Sequence, residues 1–197
     1  MSSLKTTNIL NPSSTTNNIV LAADGSTTIS TLTATTIQGT IKSGTAVAST
    51  SGTSIDFTGI PNWVKRVTVM FNGVSTGGTS NYLLQIGTSS GVENTNYISS
   101  SGALIVASYG AGSSTAGFLL TATGPEAAGL YSGLLVVANI TGNTWALSGN
   151  LGSASNSRTF VNAGSKALSG TLDRVRITTV NGTDTFDAGS INILYEG

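Results

Sequence analysis

An all-β fold, an antiparallel sandwich preceded by an extended N-terminal arm of very short strands, is predicted by three features of the 197-residue sequence. Apolar and polar residues alternate with period two in several short runs, and no run carries a convincing helical period. Glycine-rich loops separate the runs, as in a sandwich. Serine and threonine together supply about three residues in ten, and the 25 glycines are nearly double the usual share of roughly 7%. With zero net charge and a mean hydropathy of +0.21, the chain lacks the high charge and low hydrophobicity of disordered sequences and is expected to fold.

The elements follow in chain order. Small apolar groups (Ile9 and Leu10; Ile19, Val20 and Leu21; Ile29, Leu32, Ile37, Ile41) are separated by Thr, Ser and Asn, with Asp24-Gly25 as a turn signal. These are expected to form several very short strands. Some forty such residues cannot bury enough surface to stand alone, so the segment is expected to pack on sister chains or a larger particle. A run of Gly, Ser, Thr and Ala between Lys42 and Ser54 marks the change of character, placing an arm at residues 1–43 and a sandwich domain at 44–197. In the second part Val67, Val69 and Phe71, then Val175 and Ile177, then Ile191, Ile193 and Tyr195 alternate with polar or outward residues, each run giving a sheet one dry face. Further strands are expected at Ile55 to Thr58, Tyr82 to Ile86, Ala103 to Ser108, Phe118 to Ala122, Leu134 to Ile140 and Thr144 to Ser148, about eight to ten in all. Asn72-Gly73 and Asn181-Gly182 are expected turns. Ser89 to Ser101 and Tyr109 to Ala116 read as polar loops where partner contacts belong.

The eight acidic and eight basic residues are accompanied by no histidine and no cysteine. This argues against most hydrolases, thiol enzymes and zinc sites, and no cofactor is expected. Without a basic surplus, nucleic acid is a poor partner. No apolar run nears the roughly 18 residues of a membrane span, so insertion is not expected. Met1 to Leu10 lacks the pattern of a secretory signal, and secretion by that route is not expected. A surface so neutral lacks the like-charge repulsion that keeps most proteins apart, which points towards an assembly.

Three groups of residues invite a chemical reading. Asp184 and Asp187 could supply oxygens to calcium, but the loop lacks the alternating ligands and terminal glutamate of an EF-hand, and a turn is the simpler reading; no metal site is expected. A glycosidase needs only two carboxylates, drawn here from Asp56, Glu93, Glu126, Asp173, Asp184, Asp187 and Glu196. Several of these sit in strand patterns beside bases, which favours ion pairing over a cleft, so no catalytic residue is assigned. Lys65, Arg66, Arg174 and Arg176 stand at strand positions and either meet Asp56 or Asp173 across a subunit boundary or lie on a solvated face. Asn139-Ile-Thr141 and Asn181-Gly-Thr183 match the glycosylation acceptor pattern by chance in so Thr-rich a chain. Trp63 and Trp145 read as packing residues, whereas Tyr97 and Tyr109, in or beside the polar loops, read as partner-facing contacts for sugar or protein.

The segment Gly52 to Thr76 (GTSIDFTGIPNWVKRVTVMFNGVST) resembles the small β-rich domain at the C-terminal end of many tailed-bacteriophage virion proteins. Leu168 to Glu196 (LSGTLDRVRITTVNGTDTFDAGSINILYE) is similar to the terminal strands of that domain. Leu4 to Ser13 (LKTTNILNPS) and Asn18 to Gly25 (NIVLAADG) resemble lead segments of phage fibre-like proteins. The resemblance implies a non-enzymatic homotrimer on a virion surface, with a jelly-roll-like head and an arm, including Ile9, Leu10, Ile19, Val20 and Leu21, docked on a capsid or tail protein. The shortness of the arm favours a capsid decoration protein or head fibre; the alternative is a short tail fibre whose loops bind host surface polysaccharide.

Overall fold

The computed structural model describes residues 8–9, 19–21, 23, 27–29 and 41–197, with 107, 154 and 156 excepted. The chain divides into two compact units, Met1–Gln38 and Gly39–Gly197. In the first, β1 (Asn8–Ile9), β2 (Ile19–Leu21) and β3 (Thr27–Ile29) form an antiparallel sheet in that order. Ile9 pairs with Ile19 and Ile19 with Ile29, so the apolar groups of the sequence fall at one register level. Leu10, the Asp24-Gly25 turn, Leu32 and Ile37 lie outside the described residues.

The second unit is an antiparallel β-sandwich, with no helix among the described residues. Its strands in chain order are β4 (Ile41–Ser43), β5 (Val47–Ala48), β6 (Ser54–Phe57), β7 (Arg66–Thr76), β8 (Tyr82–Thr88), β9 (Gly91–Val92), β10 (Ile98–Ile105), β11 (Ser108–Ser114), β12 (Phe118–Leu119), β13 (Tyr131–Thr141), β14 (Thr144–Ser153), β15 (Arg158–Ala167), β16 (Arg174–Thr179) and β17 (Phe186–Glu196). One sheet has nine strands, ordered β11-β10-β15-β14-β13-β7-β17-β4 with β5 also on β17. The other has five, ordered β12-β8-β16-β6 with β9 on β8. The chain crosses repeatedly between the sheets, as in a jelly roll, and runs β13-β14-β15 as consecutive neighbours in the larger one. Ile41–Ser43, which composition alone placed in the arm, pair with Leu194, Tyr195 and Glu196 and belong to the larger sheet.

Between the sheets lie the expected dry faces. Val67, Val69, Phe71, Val175, Ile177, Ile191 and Ile193 are all buried, each worth about 1.5 to 3 kcal/mol relative to exposure. Tyr82 meets Tyr131 and Phe186, and Tyr131 meets Phe160, with ring centroids 5.5, 6.2 and 6.0 Å apart.

The structure corrects several sequence expectations. Asn72-Gly73 is not a turn: both residues lie inside β7, where the registers with β13 and β17 shift. Gly73 takes φ 61° there, opposite Gly189 at φ 88°, so the pair forms a bulge that bends the sheet. Asn181-Gly182 does turn the chain after β16, with φ 67° at the glycine. The segment Tyr109 to Ala116 is largely strand, in β11. Its glycines face inward because the facing chain comes close: a Cβ on Gly112 would lie 3.0 Å from Leu119 Cδ2, and one on Gly110 would collide with Thr123 Cγ2. Strand β15 is absent from the sequence expectation because its inward positions include Asn162 and Lys166 beside Phe160, which breaks the apolar alternation.

Candidate assembly face

Among the described residues, no three acids converge as a metal site would require. Asp184 instead accepts hydrogen bonds from the Ser80 amide (2.9 Å) and the Asn181 side-chain nitrogen (2.6 Å), and Asp187 accepts one from the Ser75 hydroxyl. Asp184 therefore fastens the β16–β17 turn to Ser80, and Asp187, at the start of β17, ties that strand to Ser75 of β7. The remaining acids of the second unit pair with bases: Asp56 with Arg176 (2.6 Å), Glu93 with Lys166 (2.6 Å), Glu126 with Arg158 (2.8 Å), Asp173 with Arg174 (2.9 Å), and Glu196 with Arg66. The pairings anticipated across a subunit boundary are thus made inside one chain. Lys42 and Lys65 are the cations of this unit without an ion pair among the described residues.

Two of these pairs clasp the ends of β15. Near its start, Arg158 donates to the Gly124 carbonyl at 3.0 Å and to Glu126. Near its end, Lys166 is 4% exposed, contacts Glu93, and lies 5.4 Å from the centre of the Tyr97 ring. Burial pushes the Glu93 carboxyl up, but hydrogen bonds from Lys166 and from the Ser169 hydroxyl and amide outweigh it and hold the group below its ordinary value. A carboxyl depressed in the folded state adds stability that is complete above its unfolded pKa and is lost as pH falls through the folded one. The stability gap between wild type and Glu93→Gln is therefore expected to narrow below about pH 4.3. Urea midpoints taken at neutral pH and in acid check this, and a gap that stays constant contradicts it.

Tyr97 is a core residue, contrary to its expected place on a partner-facing loop. It is 2% exposed, and its ring meets Phe118 edge-on at 5.0 Å. Its hydroxyl accepts from the Ile86 amide at 2.8 Å and lies 2.9 Å from the Glu93 carbonyl oxygen, and burial raises its pKa. The polar run Glu93-Asn-Thr-Asn-Tyr97 hides this, since the groups that bury the ring come from β12 and β15. Tyr109 is outward and 87% exposed. Trp145 is buried, whereas Trp63 is partly exposed against Tyr195.

The outward side of the nine-stranded sheet is the most distinctive surface of the unit. Strand register places its residues in levels that run across the sheet. One level reads Ala111, Gly102, Val161, Asn150, Leu134, Met70 and Asn192. The next reads Ser113, Ser100, Ala163, Ser148, Val136, Thr68, Leu194 and Ser43. A third, from Ile98 through Ser165, Ala146 and Ala138, ends at the Arg66–Glu196 pair beside Ile41. No other charge appears on these levels. Exposed on the face are Leu104 beside Tyr109, together with Val161 and Leu134. An open concavity of about 630 Å³ at its margin is lined by Asn72, Leu130, Ser132 and Arg158 among others, and no carboxylate lines it.

The five-stranded sheet is different outside. Its outward positions carry the Asp56–Arg176 pair level with Gln85, and Arg174 reaches Asp173 and the Ser89 carbonyl. Part of this side is already covered, since Gln85 donates to the Ala116 carbonyl at 2.8 Å. One outward face therefore carries charge and the other is almost free of it.

No protein-family model matches the chain, and no curated protein does. Among solved structures it is similar to a crystal structure of a protein of unknown function from Shewanella oneidensis MR-1, at 9% identity over 80% of this chain and 78% of that one. The TM-score of 0.27 marks a similarity too loose to relate the two folds.

Proposed function

We propose that the chain is a non-enzymatic structural protein of a tailed-phage virion surface, a homotrimer whose N-terminal unit attaches to the capsid and whose sandwich forms the exposed head. The observation that carries this reading is the broad, nearly uncharged sheet face on a unit whose acids are occupied by ion pairs and turn hydrogen bonds. Such a surface suits contact with protein and offers no group placed for chemistry. The resemblance of Gly52 to Thr76 and Leu168 to Glu196 to phage virion domains supplies the setting.

A second reading, a short tail fibre that grips host polysaccharide, is favoured by one observation. Tyr109 projects from β11 next to Leu104, an exposed aromatic of the sort that stacks on sugar rings. One experiment separates the two. Removal of residues 1–38 is expected to leave a folded sandwich that no longer joins particles, measured by particle composition after assembly. Normal incorporation of the truncated chain sinks the attachment role. If the truncated chain instead blocks host adsorption, and Tyr109→Ala abolishes the block, the tail-fibre reading replaces the decoration reading.

A further inference from the structure

We infer that copies of this chain meet through the outward face of the nine-stranded sheet, leaving the Asp56–Arg176 side turned to solvent. The inference rests on the self-association in the reading above, whatever the number of copies, and names its surface.

Charge distribution supplies the first argument. Burying an ion costs several kcal/mol unless it is fully paired, so a face kept free of charge is the one that can be desolvated cheaply. Leu134, Val136, Met70 and Val161 occupy its middle, while the Arg66–Glu196 pair stands at one corner, where an interface keeps its polar rim. On the five-stranded sheet, in contrast, the Asp56–Arg176 pair would go into the contact itself.

Dimensions supply the second. Eight strands abreast, spaced about 4.8 Å apart, and the stretch from Ser132 to Ala138 along β13, at about 3.3 Å per residue, give a patch on the order of 700 Å². A standard stable interface takes about 800 Å² from each partner. Side-chain size supplies the third: Ala138, Ala146, Ser148, Ala163 and Gly102 leave the face low, so an opposing sheet can approach to the roughly 10 Å of packed sheets. The occupant is a second copy because a neutral face of small residues can pack against its own kind without stranding a charge, and Leu134, Val136 and Val161 at its middle offer a glycan or an ionic partner no donor or acceptor.

Leu134→Lys and Val161→Lys test it separately, each placing a charge on an exposed position of the face without altering the core. Thr58→Lys, an exposed position on the Asp56 side, is the control. Light scattering on the full chain is expected to give an oligomer for wild type and Thr58→Lys, and a mass near that of a single 19.8 kDa chain for Leu134→Lys and Val161→Lys, with unchanged circular dichroism. If wild type is an oligomer and neither face variant dissociates it, the surface assignment falls while the assembly reading stands. If wild type is a single chain and Leu134→Lys instead abolishes binding to particles, the occupant is the capsid and the inference of a second copy is overturned. A wild-type chain that stays single and binds nothing overturns both.

Discussion

Replacing Glu93 by alanine is expected to lower stability by about 3 to 5 kcal/mol, because removing one partner of a buried ion pair strands the other. The stranded group is Lys166, 4% exposed at the end of β15. The Tyr97 ring remains beneath its ammonium, but a cation–π contact returns only about 0.5 to 2 kcal/mol. The reverse change costs less: Lys166→Met leaves Glu93 at 21% exposure, still accepting from the Ser169 hydroxyl and amide. The double variant Glu93→Leu with Lys166→Met is expected to recover most of the loss, since an apolar pair of similar volume often matches a buried ion pair. Denaturant unfolding of the three variants decides the matter. Equal, small losses in both single variants would show that the clasp contributes nothing to stability.

Gly149→Ala is the second large expectation, and the magnitude comes from collision more than from dihedral angle. Gly149 has φ 156°, and a Cβ there would overlap the Leu134 carbonyl oxygen and lie 2.7 Å from Leu135 Cα. Both are backbone atoms of the neighbouring strand β13, so relief requires parting β13 from β14. Strain of about 1 to 3 kcal/mol is then joined by one or two lost ladder hydrogen bonds, each worth roughly 0.5 to 1.5 kcal/mol, for a total of about 1.5 to 6 kcal/mol. Gly142 in the β13–β14 hairpin is the comparison. It has φ 51° with nothing within 4 Å of its Cβ position, so Gly142→Ala carries the dihedral strain alone, about 1 to 2 kcal/mol. Urea midpoints that fall equally for the two variants would refute the collision argument.

These two sites also explain what the sequence could and could not convey. Period-two alternation at Val67, Val69, Phe71, Val175 and Ile177 reports one dry face directly, and those strands are where alternation placed them. The expected end of a strand at Ser148 falls one residue before Gly149, and β14 in fact runs on to Ser153. Glycine ordinarily ends a run of strand-forming residues, whereas here it is demanded by a neighbour's closeness. Lys166 in β15 reads as a surface residue until Glu93 and Tyr97, distant in sequence, are brought around it. The alternation of Gly110 and Gly112 in β11 reflects close packing on one side, but glycine-rich stretches also form loops and local pattern does not separate the two. Of the candidate surface, local pattern disclosed the poverty of charge but not its segregation. That segregation depends on register: only the pairing of Arg176 with Asp56 across β16 and β6 puts those charges together on the far side of the sandwich.

The pairing of acid with base within each chain also has a consequence for kinetics. At about 3 Å apart, opposite charges look like short dipoles, whose field dies away faster than that of separate ions and is further screened beyond roughly 8 to 10 Å of salt solution. Two copies approaching one another are then neither drawn in nor pushed off. For copies that associate as proposed, the expected encounter rate is that of unsteered proteins, about 10⁵ to 10⁶ M⁻¹s⁻¹. On the proposed self-association, the association rate measured by stopped flow is therefore expected to be the same in dilute buffer and at physiological salt.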